Sequence, residues 1–176
     1  MAAVVLGAKA PQFDLPGTDG KNHSLAALAE SDVSVVVFTC NHCPYAKAWE
    51  DRVLKLGRDY SLRGVAMVAI SSNDAVKFPD DGFEEMEKRA RAKRYPIPYL
   101  YDESQEVARA YGAQRTPEVF VFDSKRELRY HGKVDDNEDE AKVKQHYLRD
   151  ALDAVLAGKT PPVADTEPAG CTIKWK

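Results

Sequence analysis

The tetrapeptide Cys40-Asn41-His42-Cys43 carries the clearest chemistry in the sequence. Two cysteines at this spacing can form a disulfide without movement of the backbone. As a dithiol, one cysteine attacks a substrate disulfide as the thiolate, and the other resolves the mixed disulfide. The same spacing also makes up half of many zinc sites. The spacing alone therefore leaves redox chemistry and metal binding open.

The neighbouring residues favour Cys40 as the nucleophile and Cys43 as the resolving thiol. Cys40 follows a predicted buried strand over 33–38, and Pro44 suits the first position of a helix. Unpaired N–H groups at a helix N-terminus favour a thiolate nearby. A positive charge on His42 would stabilise the Cys40 thiolate further and make the disulfide a better oxidant.

Zinc or copper binding is the main alternative, because thiolates suit both metals. Cys40 and Cys43 would need two further ligands, and His42 or a more distant histidine could supply one. However, Cys171 and the histidines at 23, 131 and 146 are scattered along the chain. The strand–turn–helix context thus favours redox chemistry, and we predict neither a bound metal nor a cofactor.

The elements around the tetrapeptide alternate between strand and helix. Strands are predicted over 33–38, 65–70, 98–101, 119–122 and 127–131, and helices from Pro44 to Gly57 or Gly64 and over 83–94, 104–111 and 139–156. Residues 13–15 and 23–25 flank a turn at 17–20 and predict an N-terminal β-hairpin. The order predicts an α/β fold with one mixed central sheet and helices on both faces.

The composition is that of a soluble single domain over residues 1–176. A net charge of −3 gives no strong attraction to nucleic acid or an anionic membrane, and no apolar run approaches the roughly 20 residues of a membrane span. Residues 1–10 lack the basic start of a secretory signal, so we expect a cytoplasmic protein. The tail over 160–176 is expected to be extended. The sequence does not specify an oligomeric state.

Several motifs together resemble the thioredoxin superfamily. They are Phe38-Thr39 before the tetrapeptide, Pro44-Tyr45 after it, and Arg115-Thr116-Pro117 later in the chain. The opening residues 10–15 and the ending 170–175 are similar to the peroxiredoxin-like branch, near the AhpC/TSA, redoxin and TlpA/ResA groups. This resemblance implies a single thioredoxin-fold domain that acts as a thiol–disulfide oxidoreductase.

The resemblance also implies the remaining site residues. The Thr116–Pro117 bond is expected to be cis, with Pro117 facing the cysteines and the Thr116 backbone free to pair with an extended substrate. Asn41 is a further candidate for substrate binding. The substrate would be a protein or small molecule that bears a disulfide, and an unidentified donor would supply electrons.

Some positions depart from the family patterns. Ser34 stands where thioredoxins have a buried Asp. If Cys43 is aligned with the peroxidatic cysteine of peroxiredoxins, Cys40 takes the Thr/Ser position of their signature and Val36 takes the proline position. The residues that orient a peroxide are then missing, so a weak peroxidase or antioxidant protein is an alternative and not the expectation.

Two further residues near the predicted site have alternative roles. Glu118 could accept a proton near Cys43, but its place in a strand favours a solvent-facing side chain. Cys171 could resolve a disulfide at Cys40. We instead expect it to lie outside the catalytic step, buried as a small apolar group in a tail that docks through Ile173.

Overall fold

The computed structural model describes residues 4–176. Residues 1–3, which belong to both the predicted domain and the N-terminal stretch discussed above, lie outside the described residues. The strands are β1 (Asp14–Pro16), β2 (Asn22–Ser24), β3 (Val33–Thr39), β4 (Val65–Ser71), β5 (Tyr99–Tyr101), β6 (Arg115–Thr116), β7 (Glu118–Phe122), β8 (Leu128–Gly132) and β9 (Cys171–Thr172). The helices are α1 (Leu25–Leu28), α2 (Pro44–Ser61), α3 (Phe83–Ala92), α4 (Glu106–Tyr111) and α5 (Tyr147–Leu156).

A five-stranded mixed sheet in the order β5-β4-β3-β7-β8 forms the centre of the fold. Strand β3 runs parallel to β4 and antiparallel to β7. Both faces of β3 are apolar because both are covered: Val35 packs in the core that contains α2 and α5, and Val36 in the core that contains α1 and α4. The predicted mixed sheet, the helices on both faces and the β1–β2 hairpin are confirmed.

The final helix is shorter than predicted. The sequence pattern predicts one helix over 139–156, but α5 begins only at Tyr147. The Asp136 carboxylate accepts a hydrogen bond from the Lys144 N–H at 2.9 Å, and the Asp139 side chain caps a single 3-10 turn. Aspartate side chains that bond nearby backbone groups compete with helix formation. These residues therefore lead into α5 as a turn and an extended segment.

Helix α2 continues past Gly57 and ends at Ser61. A Cβ on Gly57 would lie 2.6 Å from Ile97 Cγ2. This glycine therefore allows the helix to approach its neighbour closely and does not end it. Among the described residues, no helix combines the length and the apolar character that a membrane span requires.

The C-terminal tail packs against the body of the domain. Strand β9 pairs antiparallel with β6, with Cys171 opposite Thr116. Ile173 is buried, and the guanidinium of Arg109 lies over the Trp175 ring, 5.0 Å from its centroid. The tail thus docks through Ile173, and its pairing with β6 was not predicted.

A buried carboxylate joins α2 to α3. The two oxygens of Glu50 accept hydrogen bonds from Arg89 at 2.6 and 2.7 Å, and Tyr95 Oη donates to the same carboxylate at 2.6 Å. Burial alone would raise the pKa of Glu50, but these hydrogen bonds and the Arg89 charge outweigh it and lower the pKa. Arg89 of α3 thus points inward, and its ion pair with Glu50 holds α3 against α2, the helix that begins at the tetrapeptide.

We expect Glu50→Gln to lower the free energy of unfolding by about 1–3 kcal/mol near neutral pH, because Arg89 loses its charged partner. The folded pKa of Glu50 lies below its unfolded value of about 4.3. The stabilisation is therefore present above that value and lost as the pH falls through the folded pKa. Urea unfolding at neutral and acid pH measures both effects.

The control is Asp51→Asn, which removes an exposed carboxylate that pairs with Lys93 at 2.7 Å. This change should alter the unfolding free energy by less than about 0.5 kcal/mol. A difference between Glu50→Gln and the wild type that stays constant into the acid range would contradict the role of Glu50.

Candidate active site

The two cysteines of the tetrapeptide meet at the junction of β3 and α2. Cys40 follows β3, and Cys43 is the N-cap residue of α2, with Pro44 in the first turn. Their exposed fractions are 3% and 1%, and both are free thiols. The two side chains pack together in one buried cluster with Ala46. The structure therefore brings together the predicted pair at the predicted strand–helix junction.

The segment Thr116–Pro117 faces both cysteines. Its peptide bond is cis, as the resemblance implies. Cys40 Sγ lies 3.6 Å from Thr116 Oγ1, and Cys43 Sγ lies 3.7 Å from the Thr116 carbonyl oxygen. The expectation that the Thr116 backbone is free for a substrate is wrong, because Thr116 pairs with Cys171 of the tail.

The buried carboxylate of Asp81 holds the tetrapeptide loop. Its Oδ1 accepts hydrogen bonds from the N–H groups of Asn41 at 2.8 Å and His42 at 3.3 Å. Its Oδ2 accepts from Asn73 Nδ2 at 2.9 Å and contacts His42 Nδ1. Sequence reasoning missed Asp81 because 71–81 has the ordinary composition of a polar loop.

Asn41 and His42 are parts of this loop. Asn41 accepts a hydrogen bond from Tyr99 Oη at 2.8 Å and donates one to the Asp80 carbonyl at 2.9 Å. Its amide is therefore already satisfied, and a role in substrate binding stays a prediction. The His42 ring stacks on Phe78 with centroids 5.3 Å apart and faces Asp81. A positive charge on His42 would be paired with that carboxylate rather than directed at Cys40 alone.

The pKa values of the two thiols move in opposite directions. A hydrogen bond from Cys40 lowers the pKa of Cys43 against the opposing effect of burial, with further help from the Cys171 thiol. The same Cys40–Cys43 bond raises the pKa of Cys40, together with burial and the negative charge of Asp81. These directions place the thiolate on Cys43, whereas the sequence predicts it on Cys40, and which sulfur attacks stays a prediction.

The third cysteine touches this pair. Cys171 packs against the buried cluster that Cys40 and Cys43 form with Ala46. It is half-buried, and burial followed by the hydrogen bond to Cys43 raises its pKa. Cys171 is therefore only partly buried and not buried as expected, and its place outside the catalytic step stays a prediction.

Glu118 is buried, not solvent-facing as predicted. Its Oε2 accepts hydrogen bonds from the N–H groups of Gln114 at 2.7 Å and Arg115 at 2.9 Å, and its Oε1 pairs with His131 Nε2 at 2.7 Å. Oε2 thereby holds the turn that leads into β6, and Oε1 pairs with the His131 ring of β8. Glu118 positions the Thr116 segment, and these contacts explain its burial without a proton-transfer role.

One group of potential metal ligands converges within residues 4–176. Ligand atoms of Cys40, His42 and Asp81 all lie within 4.8 Å of one another. The hydrogen bonds to the tetrapeptide loop and to Asn73 already account for the position of the Asp81 carboxylate. Zinc or copper binding stays an alternative prediction.

A polar groove of about 470 Å³ opens beside the tetrapeptide. Asn41 and His42 form one side of it. The charged residues on its walls are Lys47, Asp80, Glu85, Lys88, Arg89 and Lys93. Three of its four basic side chains, Lys88, Arg89 and Lys93, are already paired with carboxylates.

The dithiol at the β3–α2 junction, opposite a cis-proline segment on one mixed sheet, defines a protein of the thioredoxin fold. The profile of the AhpC/TSA family matches residues 6–131, and the chain belongs to that family. Family and fold together support a redox function in general terms.

Solved structures include close relatives over the whole chain. An uncharacterized conserved protein from Geobacillus kaustophilus is 42% identical, with a TM-score of 0.92 over 100% of this chain and 97% of its own. A hypothetical protein from Sinorhizobium meliloti is 39% identical, with a TM-score of 0.92 over 99% and 97%.

A thiol:disulfide interchange protein from Chlorobium tepidum, described as a thioredoxin family protein, shares the fold at 20% identity. Its TM-score is 0.61, over 73% of this chain and 87% of its own. The comparison with curated proteins gave no match.

We expect Asp81→Asn to lower the pKa of Cys40, because the carboxylate charge that opposes its ionisation is removed. The variant should also lose about 1–3 kcal/mol of stability, since an amide cannot accept all the hydrogen bonds of the carboxylate. Thiolate absorbance followed against pH measures the first effect, and urea unfolding measures the second.

Asp80→Asn is the matched control, because Asp80 is exposed and only its backbone carbonyl contacts the loop. It should leave both quantities close to the wild type. Equal shifts in the two variants would show that general surface charge, and not Asp81, sets the thiol pKa values.

Proposed function

We propose that the protein is a thiol–disulfide oxidoreductase whose Cys40 and Cys43 cycle between dithiol and disulfide. The observation that carries the proposal is the packing of two buried cysteines in one cluster at the N-terminus of α2, opposite Thr116. Thiols at this spacing can close a disulfide with little movement of the backbone. The helix N-terminus stabilises the attacking thiolate.

In the proposed cycle, Cys43 is the nucleophile. Its thiolate attacks one sulfur of a substrate disulfide and expels the first substrate thiolate, which takes up a proton. Cys40 then attacks Cys43 Sγ, passes its proton to the second departing thiolate, and leaves a Cys40–Cys43 disulfide. In the cytoplasm, an external dithiol would reduce this disulfide and complete the cycle.

The hydrogen bond between the thiols would explain why Cys43 attacks first and Cys40 second. In the reduced pair, that bond is the largest influence that raises the pKa of Cys40. Once Cys43 is in a mixed disulfide, its sulfur carries no charge and the bond no longer holds the Cys40 proton. Cys40 therefore becomes easier to ionise only after Cys43 has reacted.

Small disulfides are the proposed substrates. The tail pairs with Arg115 and Thr116, so the edge that an extended peptide would use is occupied. The groove beside Asn41 and His42 is open. Both observations favour a compact disulfide over an extended protein segment.

The test uses oxidised glutathione as a small anionic disulfide and follows the products by mass spectrometry. Reduced protein should release two glutathione thiols for each Cys40–Cys43 disulfide formed. The double variant Cys40→Ser/Cys171→Ser should stop at a glutathione adduct on Cys43. Cys43→Ser should react about tenfold or more slowly, because an ordinary thiol with a pKa of about 8.5 is only a few per cent ionised at neutral pH.

Alkylation with iodoacetamide gives an independent measure of the order. Cys43 should be labelled before Cys40 at neutral pH, since it carries the thiolate. Preferential labelling of Cys40, together with an adduct on Cys40 in Cys43→Ser, would restore the assignment made from the sequence. The absence of a Cys40–Cys43 disulfide under all of these conditions would refute the proposed function.

A further inference from the structure

The tail presents Cys171 to the active site as part of a strand. Cys171 lies opposite Thr116 in the β6–β9 pair, and the Ile173 N–H donates to the Gln114 carbonyl at 2.9 Å. One residue earlier, a Cβ on Gly170 would lie 2.1 Å from the Thr116 carbonyl oxygen. Only a residue without a side chain allows this approach. The position of Cys171 is therefore fixed by close backbone packing.

The end of the tail is anchored on its other side as well. The Lys174 N–H donates to Asn73 Oδ1 at 2.9 Å, and its carbonyl accepts from the Asp74 N–H at 2.8 Å and from Gln105 Nε2 at 2.8 Å. Asn73 also donates to Asp81, which holds the tetrapeptide loop. Asn73 thus links the strand that carries Cys171 to the loop that carries Cys40 and Cys43.

Cys43 lies close to both other cysteines. It forms one buried cluster with Cys40 from the same loop, and Cys171 from the tail packs against that cluster. Cys171 is half-buried, whereas Cys40 and Cys43 are almost fully buried. The tail sulfur also lies where strand pairing would place the cysteine of an extended substrate, next to the segment that precedes Pro117.

We propose that Cys171 is a third redox thiol, which forms an intramolecular disulfide with Cys43 as an alternative to the Cys40–Cys43 disulfide. This inference rests on the proposed function, in which Cys43 forms the mixed disulfide. The Cys171 thiol attacks Cys43 Sγ, the bond from Cys43 to the substrate breaks, and the departing substrate thiolate takes the Cys171 proton.

The Cys43–Cys171 disulfide can be converted into the Cys40–Cys43 disulfide without an additional oxidant. The Cys40 thiol attacks Cys43 Sγ, the Cys43–Cys171 bond breaks, and the Cys40 proton goes to the Cys171 thiolate. The products are the Cys40–Cys43 disulfide and a free Cys171 thiol. An external dithiol then reduces the Cys40–Cys43 disulfide, as in the proposed cycle. Cys171 therefore gives the enzyme a second way to release a substrate from Cys43.

The experiment removes each competing thiol in turn and maps the disulfides after a short exposure to limiting oxidised glutathione, with acid quenching. Cys40→Ser should form a Cys43–Cys171 disulfide and release the glutathione adduct. Cys171→Ser should form the Cys40–Cys43 disulfide. The single variant Cys40→Ser should therefore retain far less glutathione on Cys43 than the double variant Cys40→Ser/Cys171→Ser.

Gly170→Ala in the Cys40→Ser background tests whether the strand delivers the thiol. The added Cβ collides with the Thr116 carbonyl, so the effective concentration of Cys171 at Cys43 should fall. Formation of the Cys43–Cys171 disulfide should slow about tenfold or more, and the adduct on Cys43 should accumulate. Thr172→Ala, an exposed change in the same strand, is the matched control and should react like its parent.

The outcomes separate this inference from the proposed function. If Cys171→Ser forms the Cys40–Cys43 disulfide but Cys40→Ser stays as the glutathione adduct, the third thiol is refuted and the proposed function stands. If Cys171→Ser forms no Cys40–Cys43 disulfide, the proposed function itself is refuted. A Cys43–Cys171 disulfide that forms equally fast with and without Gly170→Ala would refute delivery by the strand.

Discussion

Both oxygens of the buried Asp81 carboxylate accept hydrogen bonds from the loop that carries the two buried thiols or from its neighbour Asn73. A buried carboxylate is costly unless such donors surround it, so the loop and the carboxylate require each other. The loop conformation fixes where Cys40 leaves β3 and where Cys43 caps α2. The positions of the two sulfurs therefore depend on this one interaction.

The same carboxylate adds to the inequality of the two thiols. After the contact with Cys43 and burial, its charge further disfavours a thiolate on Cys40, while a helix N-terminus favours one on Cys43. A symmetric pair of thiols would share one proton with no preferred site. These surroundings, and not the order of the cysteines in the chain, are the basis for proposing Cys43 as the attacking sulfur.

The fold could be predicted because its signals are local. The apolar runs that become β3 and β4 and the proline after Cys43 mark a buried strand and a helix start within a few residues. The contacts of the site are not local. Asp81 reaches Asn41 across 40 residues, and no composition signal near Asp81 identifies that partner. Glu118 was placed in a strand correctly, but strand periodicity does not tell whether a polar side chain meets a buried partner such as His131.

The position of the C-terminal tail depends on a backbone contact with a segment that is distant in the sequence. The alternation around Cys171 and Ile173 predicts a strand with one docked face, yet it does not specify the strand with which it pairs. Because the tail pairs with Thr116, it lines the candidate active site and occupies the edge of β6 where an extended substrate would lie. Because the register puts Cys171 opposite Thr116, a shift by one residue would turn its side chain to the opposite face of the pair. Gly170 prevents such a shift, since any other residue opposite the Thr116 carbonyl would collide with it. Register, and not flexibility of the tail, therefore decides whether the third thiol can take part in the chemistry of Cys43.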